Sequence, residues 1–533
     1  MALTVVQEPE TGLFEGFENW LAEKHFGIEH TIILIAFCLI VYTVVFSYVS
    51  IYRHAAFNTH AWDLGIFTQS LWTTLNANRF LYHTCELLVN PTGVFFGVHF
   101  SPILFLIIPI YGIVQAPETL LVIQSLILSL ASIPIYKLAK EQTGKRTIGI
   151  VFALAYLMYP AIQHVNVYEF HVQAFLPLFF GCMTYYIVKE DWPKYFTFVF
   201  LALMCEEHAS WIVFFVGLYL GWRYRKEIIN SLRKKVFTNK KLIFVCLTLI
   251  LSLVWYWFTL WQRDTFFPIN PAAMVDFLGS GNFRILGASN PIEVPILIIL
   301  RPLSAIESLC YDGALKLAFL VFLFGPLAFL SLKSPFTLIP AIPSFVFVLF
   351  SQSTFHHILG TQYPAYIAFF IFAAAIFGFS RKPKHIKKAL VMILGSSLVF
   401  FVLVSPLSPV VTSFETNYKV ASFGDHERML HEVLETIPAN ESILTQDNIF
   451  PHVSHRLEAY VIPERWIYAG DIQEFAYEFT NQIVDKVEYV LVDSKTDQPA
   501  YDAAIQMLST KPQFTLEISR DDGTIRLYHQ EVQ

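Results

Sequence analysis

The chain has 533 residues, of which 55% are hydrophobic and only 15% charged, and its mean hydropathy is +0.52. A soluble globular domain needs more charge than this to cover its surface, so the composition excludes one and points to a polytopic membrane protein. The net charge of −6 is modest and implies no nucleic-acid partner, and with no P-loop, Cys-x-x-Cys zinc pair or His-Glu-x-x-His motif, nucleotide hydrolysis and zinc proteolysis are unsupported.

Residues 1–29 carry the acidic, amphipathic stretch QEPETGLFEGFENWLAEKHFG. It lacks the basic start and short apolar core of a cleavable signal and reads as an interfacial segment on the cytoplasmic side. The first span is expected near 30–51. Basic residues orient spans toward the cytoplasm. Three basic clusters do so here: Lys137/Lys140/Lys145/Arg146, Arg223 to Lys241, and Arg381 to Lys388. Residues 52–100 are then an outer loop, and 101–138 holds two apolar runs split by QAPE at 115–118, one of them short or partly inserted. Spans near 147–164 and 170–188 go out and back, and 195–222 forms a broken hairpin around CEEHAS at 205–210. Further spans are expected near 241–262, 313–332, 335–351, 361–380 and 387–406, with a second outer loop at 263–312. The total is about 11 to 12 crossings in an all-α polytopic domain over 30–409.

From 410 to 533 the composition changes to charge, turn residues and period-2 runs such as ESILTQDN and VEYVLVDSK. Residues 427–437 predict an amphipathic helix, and 514–530 a hairpin turning at Asp522-Gly523. The expectation is a small extracytoplasmic α/β domain with a core of its own. Of six cysteines, four lie in apolar segments, whereas Cys85 and Cys310 fall in outer loops and could pair in an oxidising compartment.

Ionisable residues in or beside spans are costly, so they are functional candidates. Here they gather toward one face. Asp63 lies just after the first span in HAAFNTHAWDLGIFTQSLW, and Glu86 and His99 follow in the same loop. Glu169 and His171 sit in YEFHVQ, and Glu206, Glu207 and His208 interrupt the broken hairpin. His356 and His357 lie in STFHHILG, and Arg263, Arg284 and Arg301 in the second outer loop. Each has a plainer reading: Asp63 as a helix N-cap, Glu169 and His171 as hydrated loop residues, the His pair as structural.

An acidic residue beside a Gly in a long first outer loop, here Asp63 in WDLG, resembles the polyprenyl-phosphate-dependent glycosyltransferases of the GT-C class. These include protein O-mannosyltransferases, the oligosaccharyltransferase catalytic subunit and the aminoarabinose transferase of lipid A. The chain is more closely similar to a prokaryotic membrane family classed as a domain of unknown function. The shared pattern is Asp63 to Phe67 with Gln69 and Trp72, His99 to Leu104, Pro160, Phe170-His171 with Pro177, and Glu206-Glu207. It departs at Glu169, where Asp is usual, and at Glu206, where Lys often precedes the acid.

The wider class implies a sugar passing from a lipid-phosphate donor to an acceptor at the outer face of the plasma (inner) membrane. Asp63 would be the general base, its pKa raised by apolar neighbours. Glu169 and His171 would share the catalytic site, and Asp63, Glu169 and His171 could hold Mg²⁺ or Mn²⁺. His99, Glu206, Glu207, His208, Arg301, His356 and His357 would bind substrate, the cations among them meeting the leaving phosphate. Two other readings stand beside this one. The first is a transporter or lipid flippase, which expects charges near the midplane and internal twofold similarity. The second is a non-catalytic subunit that docks a protein partner in an envelope complex.

Overall fold

The computed structural model describes residues 11–269, 281–289, 292–381, 386–408, 422–463 and 471–530. The expected junction at 409/410 and part of the expected loop 263–312 lie outside the described residues. An amphipathic helix, Thr11–Ala22, and a small antiparallel pair, β1 (Lys24–His25) and β2 (Ile28–Glu29), open the chain. Glu18 accepts from the backbone N–H groups of Arg146 and Thr147, both at 2.8 Å, and so caps a helix far away in sequence.

Among the described residues, five helices are long and apolar enough to cross a membrane: His30–Ala55, Pro117–Thr143, Val172–Lys189, Lys240–Phe266 and Ile386–Val404. Two bent pairs, Arg146–Leu157 with Pro160–Val167 and Pro302–Cys310 with Gly313–Leu327, raise that number to seven. Three shorter apolar helices, Ala209–Arg223, Pro335–Phe350 and Ala368–Ser380, complete the set. Helices lie where the crossings are expected, but 335–351 and 361–380 hold shorter apolar helices and 147–164 is a bent pair. Pro160 shows why: it has no N–H to continue the helix before it, and the axis bends by 45°. Gln163 Nε2 donates to the freed carbonyl of Leu157 at 2.8 Å, and Tyr159 donates to Leu323 O at 2.6 Å. Neighbouring groups must repair such a break where water cannot.

Helix Ala368–Ser380 is buried along nearly its whole length and forms the centre of the bundle, against Ser132–Thr143 and Leu176–Lys189. Helix His30–Ala55 lies at the periphery and leaves Ile32, Phe37, Ile40, Val44 and Tyr48 exposed, as a lipid-facing surface would. The break in 195–222 falls at 204–208, between Trp192–Leu203 and Ala209–Arg223, so Glu206, Glu207 and His208 occupy a helix junction.

The C-terminal part contains a five-stranded sheet in the order β4-β3-β5-β7-β6. Its strands are β3 (Ile443–Thr445), β4 (Ala459–Val461), β5 (Tyr489–Asp493), β6 (Phe514–Arg520) and β7 (Ile525–Gln530). β3 pairs in parallel with β4 and β5, while β6 and β7 form the hairpin expected around Asp522-Gly523. The expected helix at 427–437 runs Asp425–Thr436. The sheet is docked on the end of the bundle that carries the first loop. Tyr111 bonds His455 at 2.7 Å, Gln69 Nε2 donates to Ala459 O at 3.3 Å, and the rings of His54 and His452 stack 4.1 Å apart.

Cys85 and Cys310 are both free thiols. Cys85 is buried, its thiol turned to Ala61 O, whereas Cys310 is exposed, so the pairing that their loop positions left open does not form.

Candidate functional site

Residues Ala61–Gly65 form a single wide helical turn, with Gly65 N donating to His60 O at 3.0 Å, before the regular helix Ile66–Asn76. Such widened turns are often found at functional sites. Leu64, Ile66 and Phe67 are buried in protein, not laid on a membrane surface. Asp63 lies inside this turn and is not its N-cap. Two other carboxylates satisfy the free N–H groups: Asp447 Oδ1 accepts from Ala61 N at 2.7 Å, and Glu169 Oε2 from His60 N at 2.9 Å and Leu64 N at 3.2 Å. The Asp63 side chain is thereby left free to turn toward His171, whose Nε2 donates to its Oδ1 at 2.9 Å.

Glu169 and His171 come from a short crossover between Pro160–Val167 and the helix starting at Leu176. Glu169 has φ +105°, a conformation costing about 1–3 kcal/mol for a residue with a Cβ. Surrounding bonds hold it there. Gln124 Nε2 donates to Glu169 O, and Gln124 Oε1 accepts from His171 N at 2.7 Å. His60 Nδ1 lies 2.6 Å from Glu169 Oε1, so the carboxylate is fastened on both oxygens.

The charges follow from this geometry. Burial opposes a charge on Asp63, but His171 and His60 outweigh it and hold the carboxyl below its usual range. The expected upward shift from apolar neighbours is thus reversed by two imidazoles. Burial pushes Glu169 up against the pull of His60. Burial also opposes the His60 cation, yet Glu169, Asp447 and Asp63 together raise its pKa to about 10.

A second cluster stands beside the first. Glu207 accepts from His99 Nδ1 and Phe100 N, both at 3.2 Å, and His208 Nδ1 lies 3.8 Å from both Glu206 and Glu207. Glu206 accepts from Gln173 and from the Tyr366 hydroxyl. Burial raises Glu206, while His99 overcomes burial at Glu207 and draws it down to about 2. Burial opposes the His99 cation, but Glu207 lifts its pKa to about 9. The crossover joins the clusters, since His171 serves Asp63 and Gln173 serves Glu206. Tyr363 stands within electrostatic reach of both Asp63 and Glu206.

The other expected substrate-binding residues divide. His356 bonds Ser351 at 2.6 Å and packs on Tyr363 and Phe347, the latter also touched by His208, so it borders the second cluster. His357 turns away to Asp312, 3.6 Å distant. Arg301 donates to Leu286 O at 2.8 Å, beside a separate apolar cluster around Phe283 and Val294, and the structure brings it to neither carboxylate cluster. Glu86 pairs with His83 at 3.3 Å.

Among the described residues, the group with metal-ligand spacing is His60, Asp63 and Glu169, whose donor atoms lie within 4.8 Å of one another. The expected set held His171 in place of His60, but His171 Nε2 is committed to Asp63. Sequence reasoning passed over His60, three positions before Asp63 and so on the same helical turn. It also passed over Gln124 and Asp447, for which no local pattern gave a signal.

The chain belongs to the predicted membrane protein family DUF2079, which matches residues 53–526. No curated protein matches it in sequence. Among solved structures, ArnT from Cupriavidus metallidurans bound to undecaprenyl phosphate aligns with 92% of this chain and 97% of its own. The identity is 9% and the TM-score 0.46.

Proposed function

We propose that this family member is a membrane glycosyltransferase that moves a sugar from a polyprenyl-phosphate donor to an acceptor hydroxyl at the outer membrane face. The observation that carries the reading is the Asp63 carboxylate, held ionised by His171 at 2.9 Å and more accessible, at 18% exposure, than Glu169 at 1%. A carboxylate so placed can receive a hydroxyl while its companions fix it.

In the proposed reaction the acceptor O–H donates to the Asp63 carboxylate. The acceptor oxygen bonds to the anomeric carbon as the carbon–phosphate oxygen bond breaks, and the electron pair leaves with the phosphate. The proton passes to Asp63. A depressed pKa suits this order of events, because glycosyl transfer passes through an oxocarbenium-like state and the hydroxyl turns acidic only as its bond forms. Charge on the departing phosphate is met by the His60 and His99 imidazoles, both held cationic at neutral pH. His60, Asp63 and Glu169 supply one nitrogen and two oxygen donors, a set that fits Mn²⁺ better than Mg²⁺. Bound there, such an ion would take the place of the His60 proton, since only a neutral imidazole ligates, and would supply the positive charge for the same phosphate in its stead.

Asp63→Asn tests the assignment. In proteoliposomes loaded with a polyprenyl-phosphate-linked sugar, the variant is expected to lose about 10²–10⁴-fold in transfer rate while inserting and unfolding like the parent. Transfer at the parental rate would remove Asp63 as the base.

A further inference from the structure

The carboxyl ends of the parallel strands in the C-terminal sheet meet the Asp63 turn. From β3 the chain goes to one side for β4 and returns to the other for β5. Open α/β sheets place their site residues at such a reversal, outside the carboxyl ends of the strands. The loop after β3 begins with Gln446 and Asp447. Gln446 binds Asp493 at the end of β5 twice, accepting from its N–H at 2.6 Å and donating to its carbonyl at 3.0 Å, so the two strand ends are locked together.

Asp447 projects from this reversal into the membrane domain. It is 3% exposed, caps Ala61 N at 2.7 Å, and has its second oxygen 4.0 Å from His60 Nε2. Phe450, three residues on, covers the other end of the same turn: a Cβ on Gly65 would stand 2.7 Å from its Cδ1. One short stretch of the C-terminal domain thus grips both ends of the turn carrying Asp63. A neutral Asn or Ser caps a turn as well as Asp does. A carboxylate here is buried, faces the His60 cation and meets repulsion from Glu169 and Asp63, a set of charge interactions that capping alone does not require.

We propose that Asp447 is a positioning residue for Asp63, so that the C-terminal domain completes the site instead of being an appendage to it. The proposal rests on the reading of Asp63 as the reacting carboxylate. Asp447 fixes the turn through Ala61 N and stands against His60, and the direction of Asp63 follows from both.

The test uses the full-length protein in nanodiscs and needs no substrate. Amide hydrogen exchange over 60–65 is read together with the rate at which a water-soluble carbodiimide labels Asp63. In Asp447→Ala, exchange over 60–65 is expected to quicken by about tenfold or more and Asp63 labelling to change, with strand 443–445 still protected. Asp447→Asn, which retains the acceptor for Ala61 N, is expected to restore slow exchange yet leave Asp63 labelling altered, because the charge beside His60 is gone. Unchanged exchange and labelling in Asp447→Ala would overturn the proposal. So would loss of protection spread over 443–459, which marks simple undocking. Failure of the parent to transfer any sugar would count against the transferase reading and leave these two readouts standing.

Discussion

In the cluster around Asp63 the buried carboxylate, Glu169, is fastened by an imidazole and two backbone N–H groups, whereas its counterpart in the second cluster, Glu206, is fastened by an amide and a phenol. Each cluster also holds one carboxylate below its usual pKa range, Asp63 in the first and Glu207 in the second, against a raised neighbour. Environments that drive paired carboxyls apart in this way separate the groups that stay charged from those that can carry a proton. The partners decide how each cluster tolerates change. Ionic and main-chain donors make the first intolerant of losing its acceptor, while neutral donors let the second accept a neutral substitute.

The largest expected effect is therefore at Glu169. Glu169→Ala would leave two N–H groups without their acceptor and the half-exposed His60 cation with only Asp447, 4.0 Å away, and should lower stability by about 2–4 kcal/mol in detergent unfolding. A loss under about 1 kcal/mol would show that the ionic fastening is not what holds the crossover.

The second cluster should reveal itself by pH. His99, raised from 6.5 to about 9, contributes stability that is complete below pH 6.5 and lost as pH climbs through 9. Glu207, lowered from 4.5 to about 2, contributes above pH 4.5 and loses it as pH falls through 2. The pair is at its strongest between pH 4.5 and 6.5. The gap in melting temperature between the parent and His99→Gln should accordingly narrow as pH is taken from 6.5 to above 9, and a constant gap would contradict the ion pair.

The smallest effect is expected for Glu206→Gln. An amide oxygen can accept from Gln173 and Tyr366, so the cost should stay under about 1 kcal/mol. A cost equal to that of Glu169→Ala would erase the contrast between the clusters.

The gathering of ionisable residues was legible because charge is rare in apolar segments: Asp63, Glu169, Glu206 and Glu207 stand out by position alone. The hairpin at 514–530 and the broken helix at 205–210 were legible for similar reasons, a turn dipeptide in one and polar residues between apolar runs in the other. Partnership was not legible. His60 Nδ1 meets Glu169 across 109 positions and Ala61 N meets Asp447 across 386, and no spacing rule reaches that far. The place of each apolar segment was legible but its straightness was not, because hydropathy reports apolar length, whereas Pro160 and the 73° bend between Pro302–Cys310 and Gly313–Leu327 decide whether that length stays straight.

The 386 positions between Ala61 and its cap also set an order of events during synthesis. A ribosome adding about 5–20 residues per second needs roughly 20–80 s to travel from the first loop to Asp447. Through that interval the turn bearing Asp63 sits in the membrane domain with its Ala61 N–H uncapped and Gly65 uncovered by Phe450. The sheet that supplies both is made after the helices of the bundle. A nascent chain halted before this sheet folds is thus an inserted bundle with an unfinished site, and the site matures only once Asp447 and Phe450 have docked.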